Sequence, residues 1–280
     1  MLIAQITDIH LGFEPGNPFE LNRRRLHRTL VALLALDPAP DLLLVTGDLT
    51  DLGEVGAYRH LRRALRKVPF PVHLGLGNHD LRASFLEVFP ETGTADGFVQ
   101  YAIEAGSVRI LMLDTLEEGR HGGAFCETRA GWLDQRLSEA PDRPTVIVLH
   151  HPPVATGIEW MSPGPREAWV ERLTAVVSRH NNVVAALAGH IHRPIVTGWA
   201  GTVLAICPST APQVALDLKP MQRPDDRPMI VEAPPGFGLH LWTGARLVSH
   251  FAQVEKPRVL ARYTDAMHPF LDQVKAERES

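Results

Sequence analysis

The sequence predicts an α/β fold, a layered sandwich, on two observations. Short β-branched or Leu-rich runs alternate with longer helical patterns through the first two thirds of the 280 residues. Most of these runs are nearly all-apolar, as strands buried on both faces are. In chain order, strands are expected at 2–7, 41–46, 72–76, 145–149 and 183–188, with helices near 21–36, 54–67, 80–89, 128–140 and 165–180. The apolar runs 100–105 and 108–113, parted by the turn residue Gly106, read as a hairpin. After about Ala200 the pattern becomes short β-like pieces at 202–206, 213–218, 238–242 and 246–251, with Pro-rich links such as 219–228. This stretch is expected as a second sheet layer followed by a cap. Residues 255–280 are polar without a clear apolar period and are expected as a tail. One domain over 1–254 follows, with its metal-binding core in 1–200 and second-sheet and cap strands in 201–254.

Composition narrows the function. There are 28 Lys and Arg against 32 Asp and Glu, a formal charge of −4, which argues against coating nucleic acid or an anionic membrane. With 45% hydrophobic and 21% charged residues the chain is an ordinary globular one. Cys126 and Cys207 form no C-x-x-C pair and are expected as free thiols in a reducing compartment. No apolar run approaches the roughly 20 residues that span a bilayer, and the N-terminus lacks the basic region of a secretory signal. A cytoplasmic location with no membrane partner is expected.

Each of the five strands outside the hairpin ends in residues able to bind a metal: Asp8-Ile9-His10, Gly47-Asp48, Gly77-Asn78-His79-Asp80, His150-His151-Pro152-Pro153 and Gly189-His190-Ile191-His192. In open α/β sheets, ligands bind outside the carboxyl ends of the strands, where these clusters would converge. Asp8 with His10, and His190 with His192, are i, i+2 pairs that face one way in extended chain. Glycine precedes Asp48, Asn78 and His190, which suits close backbone approach. Two carboxylates, one amide and four imidazoles suit Mn, Fe, Co or Zn better than Ca or Mg. They are also too many ligands for one ion.

Taken singly, each motif is weak, since a lone Asp-x-His is usually a helix cap or a surface pair. His151 reads as a packed imidazole beside the site. His27, His60, His73, His121, His180, His240, His250 and His268 read as structural or exposed, and Arg23-Arg24-Arg25 as a solvated helix face.

The ordered set Asp8-x-His10, Gly47-Asp48, Gly77-Asn78-His79-Asp80, His150 and Gly189-His190-x-His192 resembles the calcineurin-like metallophosphoesterases. With His150-His151-Pro152-Pro153, Cys207-Pro208-Ser209 and Glu232-Ala233-Pro234-Pro235-Gly236, the pattern is similar to their class III cyclic nucleotide phosphodiesterase and glycerophosphodiesterase branch, to about Phe251. The resemblance implies a four-layer α/β/β/α sandwich with a C-terminal cap or tail. It implies two metal ions per chain, from Mn, Fe, Zn or Co, one held by Asp8, His10 and His192 and the other by Asn78, His150 and His190. Asp48 would bridge them, and His79 would face the phosphate as the catalytic residue. There are departures. Asp80 and Asp48-Leu49-Thr50-Asp51 differ from the Asn-His-Glu and Asp-Arg-Gly patterns of Ser/Thr protein phosphatases, and Pro212 stands where relatives often carry histidine.

The implied function is a phosphodiesterase for small diesters, cyclic nucleotides such as cAMP or glycerophosphodiesters. Two such ions clamp an in-line displacement and lower the pKa of a bound water toward about 7, supplying hydroxide at neutral pH. The alternatives are a phosphomonoesterase or nuclease on the same site, or a scaffold without catalysis. The negative charge and the lack of a basic, aromatic-laced segment count against a nucleic-acid polymer. A scaffold would be free to lose ligands, and all seven positions are filled. The segment after about Thr202 is expected to shape substrate choice and to offer a homo-oligomer contact.

Overall fold

The computed structural model describes residues 1–164, 166–220, 226–255 and 258–279. Its two sheets follow from strands that are apolar on both faces. In β1 (Leu2–Ile6) and β2 (Leu42–Thr46), alternate residues enter different cores. Ala4, Ile6, Leu43 and Val45 pack against Leu26, Leu30 and Leu33 of α1 (Leu21–Leu34) and Tyr58 and Leu61 of α2 (Val55–Leu65). Ile3, Leu42 and Leu44 turn the other way. They meet Ile110 and Met112 of β5 (Val108–Met112), and Val146 and Val148 of β6 (Thr145–Val148). On the far side, Leu111 and Ile147 pack against Leu133 and Leu137 of α4 (Glu127–Ser138) and Leu173 and Val177 of α5 (Ala168–Val177), α3 (Arg82–Val88) having joined the first helix layer. Three cores between four layers make the α/β/β/α sandwich.

The remaining strands are β3 (Val72–Gly75), β4 (Tyr101–Ala105), β7 (Val183–Ala188), β8 (Ile195–Trp199), β9 (Thr202–Ile206), β10 (Gln213–Val214), β11 (Ile230–Val231), β12 (Gly236–Trp242) and β13 (Leu247–Gln253). The first sheet has the order β13-β12-β1-β2-β3 and the second β4-β5-β6-β7-β9-β8, while β10 and β11 form a separate ribbon. Strands β1, β2 and β3 run parallel, as do β5, β6, β7 and β9. Parallel neighbours bring their carboxyl ends to one rim.

The late strands depart from expectation. Residues 201–254 do not make a second sheet of their own: that sheet begins with the hairpin β4–β5, β9 joins it, and β12 and β13 extend the first sheet from β1. A short apolar run carries no mark of which sheet edge it will join. β8 was not expected, because Thr197 and Gly198 dilute its apolar pattern on an edge that stays half exposed. The strand expected over 213–218 shortens to β10. Within the expected tail, α6 (His268–Glu279) forms with none of its residues buried. Pro165, residues 221–225 of the Pro-rich link, and 256, 257 and 280 of the tail lie outside the described residues.

A polar tie crosses the apolar interior. Gln5 Nε2 donates to Thr46 Oγ1 at 2.9 Å and Ala188 O at 3.1 Å, and Gln5 Oε1 meets His240 Nε2 at 2.9 Å. His240 is fully buried and its Nδ1 lies 2.7 Å from Ser249 Oγ. Cys126 and Cys207 form no disulfide. Among the described residues no helix is long and apolar enough to cross a membrane.

Candidate metal centre

The loops leaving β1 and β2, and those leaving β6 and β7, are laced in pairs by their backbones, and His79 N ties the β3 loop to Asp48 Oδ1 at 2.9 Å. Asp8 N donates to Gly47 O at 3.0 Å, His10 N to Asp48 O at 2.9 Å, and Gly189 N to His150 O at 3.1 Å. Asp8, His10, Asp48, His190 and His192 all have positive φ, between 47° and 70°. Such backbone is uncommon outside glycine and persists where the surroundings over-determine it. The approach is too close for a side chain at Gly77 or Gly189: a Cβ there would lie 2.2 Å from Asp48 Oδ1 or 2.1 Å from Thr7 Oγ1.

Asp8, His10, Asp48 and His192 each aim one donor atom within 4.8 Å of the others. His10 Nε2 lies 3.2 Å from His192 Nε2 and 3.5 Å from Asp48 Oδ2, and His192 Nε2 lies 3.4 Å from Asp8 Oδ1. His150, His151 and His190 form a second group on the same criterion. Asp48 Oδ2 is also 3.2 Å from His150 Nε2, so this one oxygen stands between the two groups. Asn78 lines the adjoining cavity, and its Oδ1 is buried with no hydrogen-bond partner, as is His150 Nε2. Orphaned acceptors among carboxylates and imidazoles fit a cation well.

The opposite edges of the imidazoles are anchored. His10 Nδ1 donates to Asp51 Oδ1 at 3.0 Å, His150 Nδ1 to Thr46 O at 2.9 Å, and His192 Nδ1 to Pro212 O at 2.8 Å. Each acceptor fixes a hydrogen on Nδ1 and turns Nε2 inward, the orientation of metal-ligating histidines. At Pro212 the backbone carbonyl serves, so the contact needs no side chain there. His79 lies at the edge of the cluster: its Nδ1 donates to Asp51 O at 2.9 Å and its ring meets that of His10 edge-on at 4.5 Å.

Charges in the cluster oppose burial. Burial raises the Asp8 carboxyl, but the neighbouring His192 outweighs it and leaves the group below the ordinary carboxylate value. At Asp48 burial is likewise overcome, by His150 and then His10, and the carboxyl sits well below that value. Burial lowers His150, yet Asp48 and Asp8 lift it to about 9. At His190 burial and the imidazoles of His151 and His150 act together, pushing it well below the usual histidine value. Two ionised carboxylates thus project a field that favours positive charge, a proton on His150 or a metal ion in its place, at the point where the Nε2 atoms meet.

Several residues that serve the site were not singled out. His121, expected to be structural or exposed, lines the cavity with its ring 4.9 Å from that of His190. Asp51 holds the His10 ring, and the fully buried Asp80 accepts from the loops on either side of the cluster. The signal available was their place in the same motifs, three residues after Asp48 and two after Asn78. Arg25 corrects the solvated reading of its run: it is buried and donates to Thr210 O, Ala211 O and Ala233 O, three carbonyls that need a donor. His151 is buried with its Nδ1 2.8 Å from Thr115 Oγ1, and its Nε2, beside His150 and His190, has no hydrogen-bond partner among the described residues.

The fold and this cluster define a phosphoesterase of the two-sheet type. A family model, calcineurin-like phosphoesterase, matches residues 1–194, and the chain belongs to that family. It is 30% identical over 262 residues to a probable glycerophosphodiester phosphodiesterase of Arcobacter nitrofigilis, covering 91% of this chain and 94% of the relative. It is 35% identical over 227 residues to a probable cyclic nucleotide phosphodiesterase of Rhodopseudomonas palustris, covering 78% and 81% of the two chains. A dimetal phosphatase from Danio rerio shares the fold, with a TM-score of 0.66 at 18% identity over 91% of this chain and 97% of that one.

Proposed function

We propose that this protein hydrolyses small phosphodiesters at a two-ion centre. The observation that carries the reading is Asp48 Oδ2, placed 3.5 Å from His10 Nε2 and 3.2 Å from His150 Nε2, as a bridging carboxylate would be. Asp8, His10 and His192 would complete one position, and Asn78, His150 and His190 the other. Two divalent ions bound there would supply Lewis-acid activation of water and of the phosphate. The mixed nitrogen and oxygen donors favour Mn, Fe, Zn or Co.

The chain's own residues do the rest. The five clamped loops hold the donors in a fixed arrangement, so little reorganisation accompanies reaction. His79 is tethered beside the centre without filling either position. With Nδ1–H fixed on Asp51 O, its Nε2 is the nitrogen left to pass a proton to a departing oxygen. Relatives named for glycerophosphodiesters and for cyclic nucleotides support the diester class. The free thiols Cys126 and Cys207 accord with a cytoplasmic location.

The deciding experiment measures hydrolysis of cyclic AMP, a glycerophosphodiester, a p-nitrophenyl diester and the matching monoester, with Mn, Fe and Zn each supplied. Diesters should be hydrolysed in preference to the monoester, and chelation should abolish the activity. A faster monoester, or activity untouched by chelation, would overturn the proposal.

A further inference from the structure

Beside the cluster opens a cavity of about 330 Å³ whose walls carry few polar groups beyond those already described. Phe13, Trp160, Met161, Pro212 and Ile230 are among its apolar lining residues, and Phe13 is 64% exposed. Two further polar side chains in these walls are held by neighbours: Asn22 Nδ2 donates to His10 O at 2.9 Å, and Glu14 accepts from Asn17. A polyol lying against the apolar part of this wall would give up water where its hydroxyl groups find few partners, which is costly.

A flat ring would fare differently. Trp160, in the single turn Glu159–Met161, stacks on His121 with ring centroids 6.0 Å apart and planes inclined by 19°. His121 in turn lies 4.9 Å from His190, so the stacked pair extends outward from one of the proposed metal ligands. Phosphate held at the centre would leave its organic group alongside this surface. Aromatic faces are sequence-tolerant stacking platforms for planar rings.

We infer that the Trp160–His121 pair is a specificity platform, selecting phosphodiesters whose organic group carries a flat aromatic ring over those carrying a polyol such as glycerol. The inference rests on the diesterase reading and names the substrate class within it. Trp160 acts by binding the organic group, and the chemistry at phosphorus does not require it.

The test uses the metal-loaded full chain and two phosphate monoesters of equal charge, phenyl phosphate and glycerol 3-phosphate. Both compete with hydrolysis of a p-nitrophenyl diester. Phenyl phosphate should bind at least about tenfold more tightly, within the range a stacked ring contributes. Trp160→Phe should keep that preference and Trp160→Ala should abolish it, with metal content measured in each. Equal inhibition constants in the unaltered protein, or an unchanged preference in Trp160→Ala, would overturn the inference and leave the diesterase reading standing. A metal-loaded protein that hydrolyses no diester would overturn both.

Discussion

Asp80 offers a direct way to ask what holds the centre in place. Its carboxylate is fully buried and accepts five hydrogen bonds: Tyr58 Oη at 2.8 Å, Gly77 N at 2.9 Å, Leu49 N at 3.1 Å, Thr50 N at 3.2 Å and Thr50 Oγ1 at 3.3 Å. Leu49 and Thr50 follow Asp48, and Gly77 precedes Asn78, so one side chain clamps the loops that carry both. Burial and the nearby Asp48 push the Asp80 carboxyl up to about 6, leaving it ionised at pH 8. Asp80→Asn keeps the shape and removes the charge. Whichever way the amide turns, its NH₂ faces at least one backbone N–H, which loses its acceptor. Bonds to a charged group contribute about 1.5–3 kcal/mol each and an orphaned buried donor costs about 1–3 kcal/mol, while removing a buried charge whose pKa is raised offsets part of this, so a net loss of about 1–3 kcal/mol is expected.

At an unfolding entropy of about 2.1 cal/mol/K per residue, that loss lowers the Tm of a 280-residue chain by about 2–5 °C. Calorimetry at pH 8 on chelated protein measures it without a contribution from metal binding. Metal affinity of the same variant should fall by about 10- to 100-fold, as for other residues that orient ligands. Tyr58→Phe removes one of the five donors and should cost a fraction of this. A Tm within about 1 °C of the unaltered protein, together with unchanged metal affinity, would refute the clamp.

Gly77→Ala places a Cβ 2.2 Å from Asp48 Oδ1 and should weaken metal binding by about 10- to 100-fold with circular dichroism unchanged; unaltered binding would show that Asp48 is not held by this contact. Asp48→Ala should deplete both metal positions and Asn78→Ala mainly one, and equal depletion by elemental analysis would refute the bridge. His79→Ala should keep its metal and lose about 10²- to 10⁴-fold on an alkyl diester, whose leaving group needs a proton, but far less on a p-nitrophenyl diester. Equal losses would assign His79 to stabilising the phosphate instead. Burial holds His240 down at about 3, whereas the unfolded histidine titrates near 6.5. Its neutral form therefore favours the fold above about pH 6.5, and this contribution is lost as pH falls toward 3, about 2 kcal/mol of it by pH 5. Denaturant melts of His240→Gln should show a smaller loss between pH 7 and pH 5, and an unchanged loss would exclude His240 as its source.

The sequence was legible where chemistry and position coincide in one short segment. Asp8, His10, Asp48, Asn78, His150, His190 and His192 come together because each follows a strand of a parallel run, and a parallel run has only one carboxyl rim. The strands themselves were legible because burial on both faces demands unbroken apolar residues. Supporting residues carry a weaker local mark or none. Asp80 shares the motif of Asn78 but serves amides about 30 residues back, and Arg25 serves carbonyls 185 or more residues away, so nothing in its neighbouring sequence separates it from a surface charge. The same holds for β12, whose apolar run fits either sheet until β1 supplies its antiparallel partner. His121 shows the limit most plainly, since alone it is one unremarkable histidine on a loop. Only when the chain folds Trp160 against one side of it and His190 against another does it become part of a surface that a substrate could meet.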